Sequence, residues 1–249
     1  MERIALVQGA SRGLGLELVR QLLEDHDRVV ATCRHPERAD ALASLRARSA
    51  GRVSAVRLDV EDEGSIEAAA EAVAAGAEKL HLLMNVAGLL HDEASGVRPE
   101  KKLAHCDPDA LAKVFRVNAF GPLLVAKHFA PLLRHDEPAV LANLSARVGS
   151  IGDDRLGGWY AYRASKAAQN MFTKNLAIEL GRRAKNLCVL ALHPGTVDTG
   201  LSAPFQKNVP EEKLFSVERA AGQLLAIVRR APPAETGRFY AWDGAEIPW

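Results

Sequence analysis

The sequence predicts an α/β protein built as one doubly wound parallel sheet with helices on both faces. Short apolar segments, typical of buried parallel strands, alternate with longer segments whose apolar residues recur at helical spacing. A glycine-rich turn joins the first strand to the first helix, and small or polar residues follow several later strands. Because repeated strand–helix units form parallel sheets through right-handed crossovers, this pattern predicts the fold class.

The predicted strands are short and apolar, and the predicted helices carry apolar residues on one face. The strands are Ile4–Val7, Arg28–Cys33, Val53–Leu58, Leu80–Val86, Val140–Leu144, Leu187–Leu192 and Arg238–Ala241. The helices are one containing Leu18–Leu23, then Arg38–Arg48, Ile66–Ala77, Asp107–Leu133, Trp159–Arg183 and Val217–Arg230. Asp107 followed by Pro108 is typical of a helix cap and first turn. No repeat, low-complexity tract or linker interrupts the series, which predicts a single domain over 1–249.

The composition argues against several classes of protein. With 48% hydrophobic and 25% charged residues, the chain has the balance of a globular domain. A net charge of +1 gives no reason to expect nucleic acid or an anionic membrane as a partner. No apolar run approaches the ~20 residues of a membrane helix, and no signal peptide precedes the first strand. Three scattered cysteines favour a reducing cytoplasm, and no histidine spacing predicts a metal site.

The glycine-rich turn at Gly9–Gly15 is the first candidate site. Its glycines allow a tight turn and a close approach of the backbone to a pyrophosphate, and the helix that follows presents N–H donors. The spacing, Gly-x3-Gly-x-Gly, differs from the Gly-x-Gly-x2-Gly of the long dehydrogenases, so the turn must differ in detail. A strand before the turn and a helix after it favour a dinucleotide site over a turn without a ligand.

Tyr162 and Lys166 form the second candidate site, because residues four apart on a helix lie on one face, about 5–6 Å apart at Cβ. A free tyrosine has a pKa near ~10 and is a poor acid or base at neutral pH. A neighbouring ammonium favours the phenolate, so we expect Lys166 to lower the pKa of Tyr162 into a range useful for proton transfer. The alternative is a surface pair, since the spacing arises by chance on many helices.

Small and polar residues also follow the other predicted strands. They are Asp59-Val60, Asn85–Gly88, Asn143–Ser145 and His193–Thr196. In a doubly wound sheet, ligands bind beyond the carboxyl ends of the strands. Each of these segments alone is typical of an ordinary turn, but together they predict a binding site along one edge of the sheet.

With these residues assembled, the chain resembles the short-chain dehydrogenase/reductase family over essentially its whole length. The matching elements are the Gly9, Gly13 and Gly15 turn, Asp59, Asn85-x-Ala87-Gly88, Asn118, Ser145, Tyr162-x3-Lys166, and Pro194-Gly195 with Thr199. Three features depart from the family pattern: Gln8 replaces a threonine, Val86 replaces an asparagine, and the Ser145–Tyr162 interval is longer. The segment from Ser145 to Asp154 and the tryptophan before Tyr160 are similar to the branch of C-factor and the sniffer-type carbonyl reductases.

The resemblance implies a Rossmann-like fold and four catalytic residues. Tyr162 would exchange a proton with the carbonyl oxygen, and Ser145 would hydrogen-bond the same oxygen. Lys166 would bind the nicotinamide ribose and lower the pKa of the tyrosine. Asn118 would hold a water that relays protons to Lys166, or else it is only a helix-kink asparagine. Tyr160 has alanine four residues on, so it is expected to line the substrate pocket or pack.

The cofactor is predicted to be NADP(H). NAD-specific enzymes carry an acid at the end of the second strand, whereas Arg34 stands there in this chain and can pair with a 2′-phosphate. Arg12 could approach the same phosphate, although both arginines could also be solvated surface charges. The predicted cofactor-binding residues are Gly9, Ser11, Arg12, Gly13, Leu14, Gly15, Arg34, Asp59, Val60, Asn85, Ala87, Gly88, Tyr162, Lys166, Pro194, Gly195, Val197 and Thr199.

The resemblance implies reversible reduction of an aldehyde, ketone or quinone to an alcohol. His91–Cys106 is expected to border the site and Ala203–Glu212 to form a mobile lid, while an aromatic content of 5% predicts no aromatic platform. A regulatory or signalling protein that binds NADP with little turnover is the alternative. Related enzymes pair through two long helices, here Asp107–Leu133 and Trp159–Arg183, so a homodimer or homotetramer is expected.

Overall fold

The computed structural model describes residues 2–249, and the side chains of all of these except Asn208. Nine strands lie in this range: β1 (Ile4–Gln8), β2 (Arg28–Cys33), β3 (Val53–Arg57), β4 (Leu82–Asn85), β5 (Ala139–Leu144), β6 (Leu187–His193), β7 (Thr196–Val197), β8 (Leu214–Phe215) and β9 (Arg238–Ala241). Seven form one parallel sheet in the order β3-β2-β1-β4-β5-β6-β9. They match the seven predicted strands to within two residues. The short strands β7 and β8, which pair with each other, were not predicted.

Seven α-helices occur in the same part of the chain: α1 (Gly13–Leu22), α2 (Asp40–Arg48), α3 (Glu63–Ala74), α4 (Pro108–Phe115), α5 (Gly121–Leu133), α6 (Tyr160–Leu180) and α7 (Val217–Arg230). The helical run predicted over Asp107–Leu133 is confirmed, since the chain stays helical from Pro108 to Leu133. A π-helical turn at Arg116–Phe120 separates α4 from α5, and such turns occur frequently at functional sites. No helix within residues 2–249 is both long and apolar enough to cross a lipid bilayer.

The first strand shows why the sheet has helices on both faces. Ala5 and Val7 pack in a core with α1, α2 and α7, whereas Ile4 and Leu6 pack in a second core with α3, α5 and α6. Because successive side chains of a strand point to opposite faces, a strand buried on both sides must be apolar throughout. The doubly wound architecture predicted from the sequence is confirmed.

The strand order creates a crevice at one place in the sheet. Strand β1 pairs with β2 on one side and with β4 on the other. The chain therefore leaves β1 in one direction and returns to its opposite side after β3. Loops that diverge at such a switch point leave room for a ligand between them.

Candidate active site

A cleft of about 670 Å³ opens at the carboxyl ends of the strands, where the segments that follow β1 and β4 diverge. Segments that follow six strands of the sheet line it, together with the first turns of α1 and α6. The predicted site residues on its walls are Gly9, Ser11, Arg12, Gly13, Leu14, Gly15, Arg34, Asp59, Val60, Ala87, Gly88, Ser145, Tyr162, Lys166, Pro194, Gly195, Val197 and Thr199. Asn85 and Asn118 do not line it.

Two glycines of the turn after β1 have no space for a side chain. Gly9 has φ +87°, and a Cβ on it would lie 2.6 Å from the backbone nitrogen of Ala87. A Cβ on Gly15 would lie 2.2 Å from the carbonyl oxygen of Gly9. Contacts this short do not occur between real atoms, so these positions require glycine if the turn is to pack against α1 and the segment after β4. The resulting backbone cradle forms one end of the cleft.

Gln8, a departure from the family pattern, has a structural role in the same cradle. It ends β1 with its side chain buried, and its Oε1 accepts a hydrogen bond from the Ala87 backbone N–H at 3.1 Å. This bond ties the end of β1 to the segment after β4. Gln8 therefore supplies a side-chain link between the two strands that flank the cleft.

Two arginines stand exposed at the cradle end of the cleft. Arg34 directly follows β2 and Arg12 is the N-cap residue of α1. Neither forms an ion pair with another residue of the described chain. Asp27 lies at the opposite end of β2, where it accepts a hydrogen bond from the Arg3 backbone N–H, and Glu37 pairs with His35 at 3.4 Å. No acid therefore neutralises the two guanidinium groups at the carboxyl end of β2 in residues 2–249.

Ser145 follows β5 and is buried at the inner wall of the cleft. Its hydroxyl donates a hydrogen bond to Asn170 Oδ1 at 2.6 Å, and Asn170 Nδ2 donates to the Gly149 carbonyl at 3.3 Å. The hydroxyl proton is therefore engaged with α6 in this structure. A carbonyl oxygen in the cleft would have to take over that hydrogen bond.

Tyr162 and Lys166 lie one turn apart near the start of α6, and both are buried. Lys166 Nζ lies 5.9 Å from the centroid of the Tyr162 ring. It donates hydrogen bonds to the Leu144 carbonyl at 2.7 Å and to Gln169 Oε1 at 2.9 Å. These bonds hold the amine between the end of β5 and its own helix, beside Tyr162.

The prediction that Lys166 lowers the pKa of Tyr162 does not hold in this structure. Burial raises the pKa of Tyr162 to about 12, since a desolvated phenolate is disfavoured. The same cause lowers the pKa of Lys166 to about 7. Near neutral pH the amine is therefore only partly protonated, which weakens the charge expected to act on the phenol. The phenol stays protonated across the physiological range and is available as a proton donor.

Asn118 lies at the centre of the π-helical turn and is fully buried. Its side chain accepts from the Leu89 N–H at 2.7 Å and donates to the Leu89 carbonyl at 2.8 Å and to Ser165 Oγ at 3.1 Å. A Cβ on Gly88 would lie 3.6 Å from Asn118 Oδ1 and 3.9 Å from Lys166 Nζ. Asn118 therefore supports the cleft wall from behind. Its amide oxygen and Lys166 Nζ both lie near Gly88.

Asn85 is also placed beneath the cleft. It ends β4, and its Nδ2 donates to Asn143 Oδ1 at 2.8 Å, while Asn143 Nδ2 donates to Thr173 Oγ1 at 2.9 Å. This buried chain of amides and hydroxyl links β4, β5 and α6. The structure does not bring the Asn85 side chain to the cleft surface, where the cofactor contact was expected.

Aromatic side chains form a wall over Tyr162, contrary to the expectation from composition. Trp159 lies edge-on to Tyr162, with ring centroids 6.3 Å apart, and 5.1 Å from Phe205. Phe205 in turn lies 5.7 Å from His91. All four line the cleft, whereas Tyr160 is exposed and does not. Few aromatics suffice here because the fold brings three distant segments together.

The predicted border and lid segments contribute only part of their length to the cleft. His91 and Asp92 line it from His91–Cys106, and Phe205 and Val209 line it from Ala203–Glu212. His91 Nε2 lies 3.1 Å from the Gly200 carbonyl oxygen, so the two segments meet across the opening.

Of two further polar residues of this site, Asn170 was not singled out from the sequence, and His193 was predicted only as part of the segment His193–Thr196. Asn170 lies four and eight residues after Lys166 and Tyr162, so helical spacing alone places it on their face of α6. His193 ends β6 and lines the cleft, with Nδ1 buried and without a hydrogen-bond partner in the described chain. Burial lowers its pKa to about 4, which keeps the imidazole neutral at pH 7.

Comparisons with known proteins agree with this architecture. The family model described as short chain dehydrogenase matches residues 3–210. The chain is 33% identical over 245 residues to the 1-hydroxy-2-glutathionyl-2-methyl-3-butene dehydrogenase of a Rhodococcus species, covering 98% of both proteins. Among solved structures it resembles NADPH-bound carbonyl reductase from chicken fatty liver, with 30% identity, a TM-score of 0.87 and coverage of 100% and 94%.

A second solved structure bears on the branch suggested by the sequence. The carbonyl reductase Sniffer of D. melanogaster matches with 25% identity and a TM-score of 0.85, and each chain is covered completely. The predicted resemblance to the family and to its sniffer-type members is thereby confirmed. The chain is a member of the short chain dehydrogenase family of oxidoreductases.

Proposed function

We propose that this protein is an NADPH-dependent carbonyl reductase that converts an aldehyde, ketone or quinone to an alcohol. The observation that carries the proposal is the convergence of Ser145, Tyr162 and Lys166 in the cleft that also contains the glycine cradle. The relatives named above include carbonyl reductases, one with NADPH bound. A cofactor-binding regulator would not need a buried acid, amine and hydroxyl grouped beneath an aromatic wall.

The residues present fit a dinucleotide. Gly9 and Gly15 let the turn pack closely against its own backbone and against Ala87, and a tight glycine turn of this kind allows the backbone to approach a pyrophosphate. Arg12 and Arg34 stand where a 2′-phosphate would need positive charge, and Lys166 lies near Gly88 deeper in the cleft, with Asn118 behind the wall. The cofactor, when bound, supplies the hydride.

The chain's own residues supply the proton and hold the substrate oxygen. Tyr162 donates its phenolic proton to the oxygen as negative charge develops there, and Ser145 turns its hydroxyl from Asn170 to the same oxygen. Loss of the proton leaves a phenolate, which the protonated fraction of the nearby Lys166 amine stabilises. The wall of Trp159, Phe205 and His91 excludes water and offers an apolar surface to the remainder of the substrate.

Turnover of a panel of carbonyl compounds tests this function. The purified protein is given NADPH or NADH with aromatic aldehydes, aliphatic ketones and quinones, and consumption of the reduced cofactor is followed. We expect carbonyl-dependent oxidation of NADPH by at least one class, with NADH less effective. Tight binding of NADPH with no turnover of any class would favour the regulatory alternative.

We also propose that two copies pair through α5 and α6. Phe120, Met171 and Ile178 are 45%, 61% and 51% exposed on this side of the molecule, and seven residues separate the last two, which places them on one face of α6. Light scattering at micromolar concentration should give the mass of a dimer or tetramer, and Met171→Asp with Ile178→Asp should lower it. A monomeric mass for the unmutated protein would refute the pairing.

The described thiols are unpaired, consistent with a cytoplasmic location.

A further inference from the structure

Tyr162 lies in the first turn of α6. The side chain of the N-cap residue does not cap this turn. The N-cap residue is Trp159, with φ +50° and ψ +45°, and Tyr162 is the third helical residue after it. Gly157 and Gly158, which precede Trp159, also have positive φ, +61° and +67°. Helix starts leave several backbone N–H groups without helical partners, so these groups must find acceptors elsewhere.

Glu100 supplies those acceptors from a distant segment. Its backbone carbonyl accepts a hydrogen bond from the Trp159 N–H at 2.6 Å. Its carboxylate Oε2 accepts one from the Ala161 N–H at 3.2 Å, across 61 residues of sequence. Only 3% of the residue is exposed. It forms no ion pair in the described chain, and its carboxylate lies at the N-terminus of α6, where the Ala161 N–H and the positive end of the helix dipole favour a negative group.

The backbone carbonyl of Glu100 contacts Trp159, which has a left-handed conformation. A left-handed backbone is unfavourable for a bulky residue and persists only where the surroundings impose it. Here Gly157 and Gly158 allow the turn that precedes Trp159. The hydrogen bond from the Trp159 N–H to the Glu100 backbone carbonyl fixes the end of that turn. The indole thereby faces Tyr162 on one side and Phe205 on the other.

The segment that contains Glu100 also reaches the other end of the aromatic wall. His91, nine residues earlier, contacts Phe205 and the Gly200 carbonyl. One segment after β4 therefore fixes the start of α6 through Glu100 and meets the segment after β7 through His91. Both contacts converge on the space directly above Tyr162.

We propose that Glu100 is a positioning residue that caps the catalytic helix, holds Trp159 in its left-handed conformation and so sets the Tyr162 hydroxyl against the substrate. The catalytic part of this inference rests on the proposed reductase function, and the capping part does not.

Hydrogen exchange at the Ala161 amide tests the side-chain cap without any substrate, because the Trp159 N–H bonds to the backbone carbonyl of residue 100, which a side-chain substitution does not remove. Glu100→Ala removes the carboxylate, while Glu100→Gln keeps the size and one acceptor oxygen. We expect exchange of the Ala161 amide to accelerate by roughly tenfold or more in Glu100→Ala, since hydrogen bonds to charged groups are the stronger ones. In Glu100→Gln, which keeps an acceptor but loses the charge, exchange of the same amide should accelerate by only a few fold. Unchanged exchange in Glu100→Ala would overturn the proposal.

Steady-state kinetics with the best carbonyl of the panel test the positioning. In Glu100→Ala we expect kcat to fall about tenfold while the Kd for NADPH changes less than twofold, and Glu100→Gln should recover most of kcat. The matched control is Asp107→Ala, which removes the side-chain cap of α4 at the Ala110 N–H and touches no proposed catalytic residue. An equal loss of kcat in Asp107→Ala would overturn the positioning role.

Two further outcomes must be interpreted separately: a Glu100→Ala variant that does not fold, and an unmutated protein that reduces no carbonyl. If Glu100→Ala fails to fold, Glu100→Gln alone decides, since loss of the charge should still accelerate Ala161 exchange by a few fold, and an unchanged rate would refute the cap. If the unmutated protein reduces no carbonyl, the proposed function fails and the catalytic part of the inference fails with it. The exchange data then still decide whether Glu100 caps α6.

Discussion

Replacing Tyr162 by phenylalanine should lower kcat for carbonyl reduction by about 10²- to 10⁴-fold, the usual contribution of a positioned general acid. Phenylalanine keeps the ring against Trp159, 6.3 Å away, and keeps the site buried. Only the proton donor is lost. Because most of the predicted cofactor contacts come from other residues of the cleft, the Kd for NADPH should remain nearly unchanged. Stopped-flow or steady-state turnover together with equilibrium titration of NADPH measures both quantities.

Tyr160→Phe is the matched control for this change. It removes the same atom from the same helix, two residues earlier, at an exposed position that does not line the cleft. Its turnover should stay within twofold of the unmutated protein. Near-normal turnover in Tyr162→Phe would contradict the assignment of the proton donor, and an equal loss in Tyr160→Phe would show that the helix rather than the acid is affected.

Replacing Arg34 by alanine should raise the Kd for NADPH by about ten- to a hundredfold and leave the Kd for NADH nearly unchanged. A hydrogen bond between charged groups contributes about 1.5–3 kcal/mol, which corresponds to this range of affinity. Arg34 is exposed and without an acidic partner in the described chain, so solvent and salt weaken its interaction. We therefore expect a loss near the lower end of the range, measured by titration of both cofactors at one ionic strength.

Arg38→Ala controls for the loss of a positive charge near the end of β2. Arg38 is also exposed, but it pairs with Glu37 at 3.9 Å and does not line the cleft. Its removal should change the Kd of either cofactor less than twofold. Equal affinity of the unmutated protein for NADH and NADPH would refute the preference for NADP(H), as would an equal effect of the two substitutions.

Local patterns in the chain were sufficient to predict the strands and most of the helices. The apolar run of β1 indicates a strand buried on both faces, and both cores do receive its side chains. The spacing of Tyr162 and Lys166 likewise predicts one face of one helix. The directions in which the pKa values of Tyr162 and Lys166 shift could not be predicted from spacing. They depend on how completely the fold removes both groups from water.

The π turn between α4 and α5 shows the same limit in a helix. Asp107–Leu133 has helical periodicity throughout, and nothing in its own composition requires a π turn. The turn places Asn118 where its side chain can bond both backbone groups of Leu89 and the hydroxyl of Ser165. Those partners lie 29 and 47 residues away, so only the packed structure relates them.

The sequence by itself therefore determined the fold class, the family and the set of candidate catalytic residues, because these depend on short-range periodicity and on motif spacing. The tertiary structure alone decided which side chains reach the cleft, how burial shifts the pKa values of Tyr162 and Lys166, and which distant groups support the site. Trp159, Phe205 and His91 form one wall only after three separate segments meet. Glu100 becomes the cap of α6 for the same reason, since hydrogen bonds and desolvation depend on distance in space and not on separation along the chain.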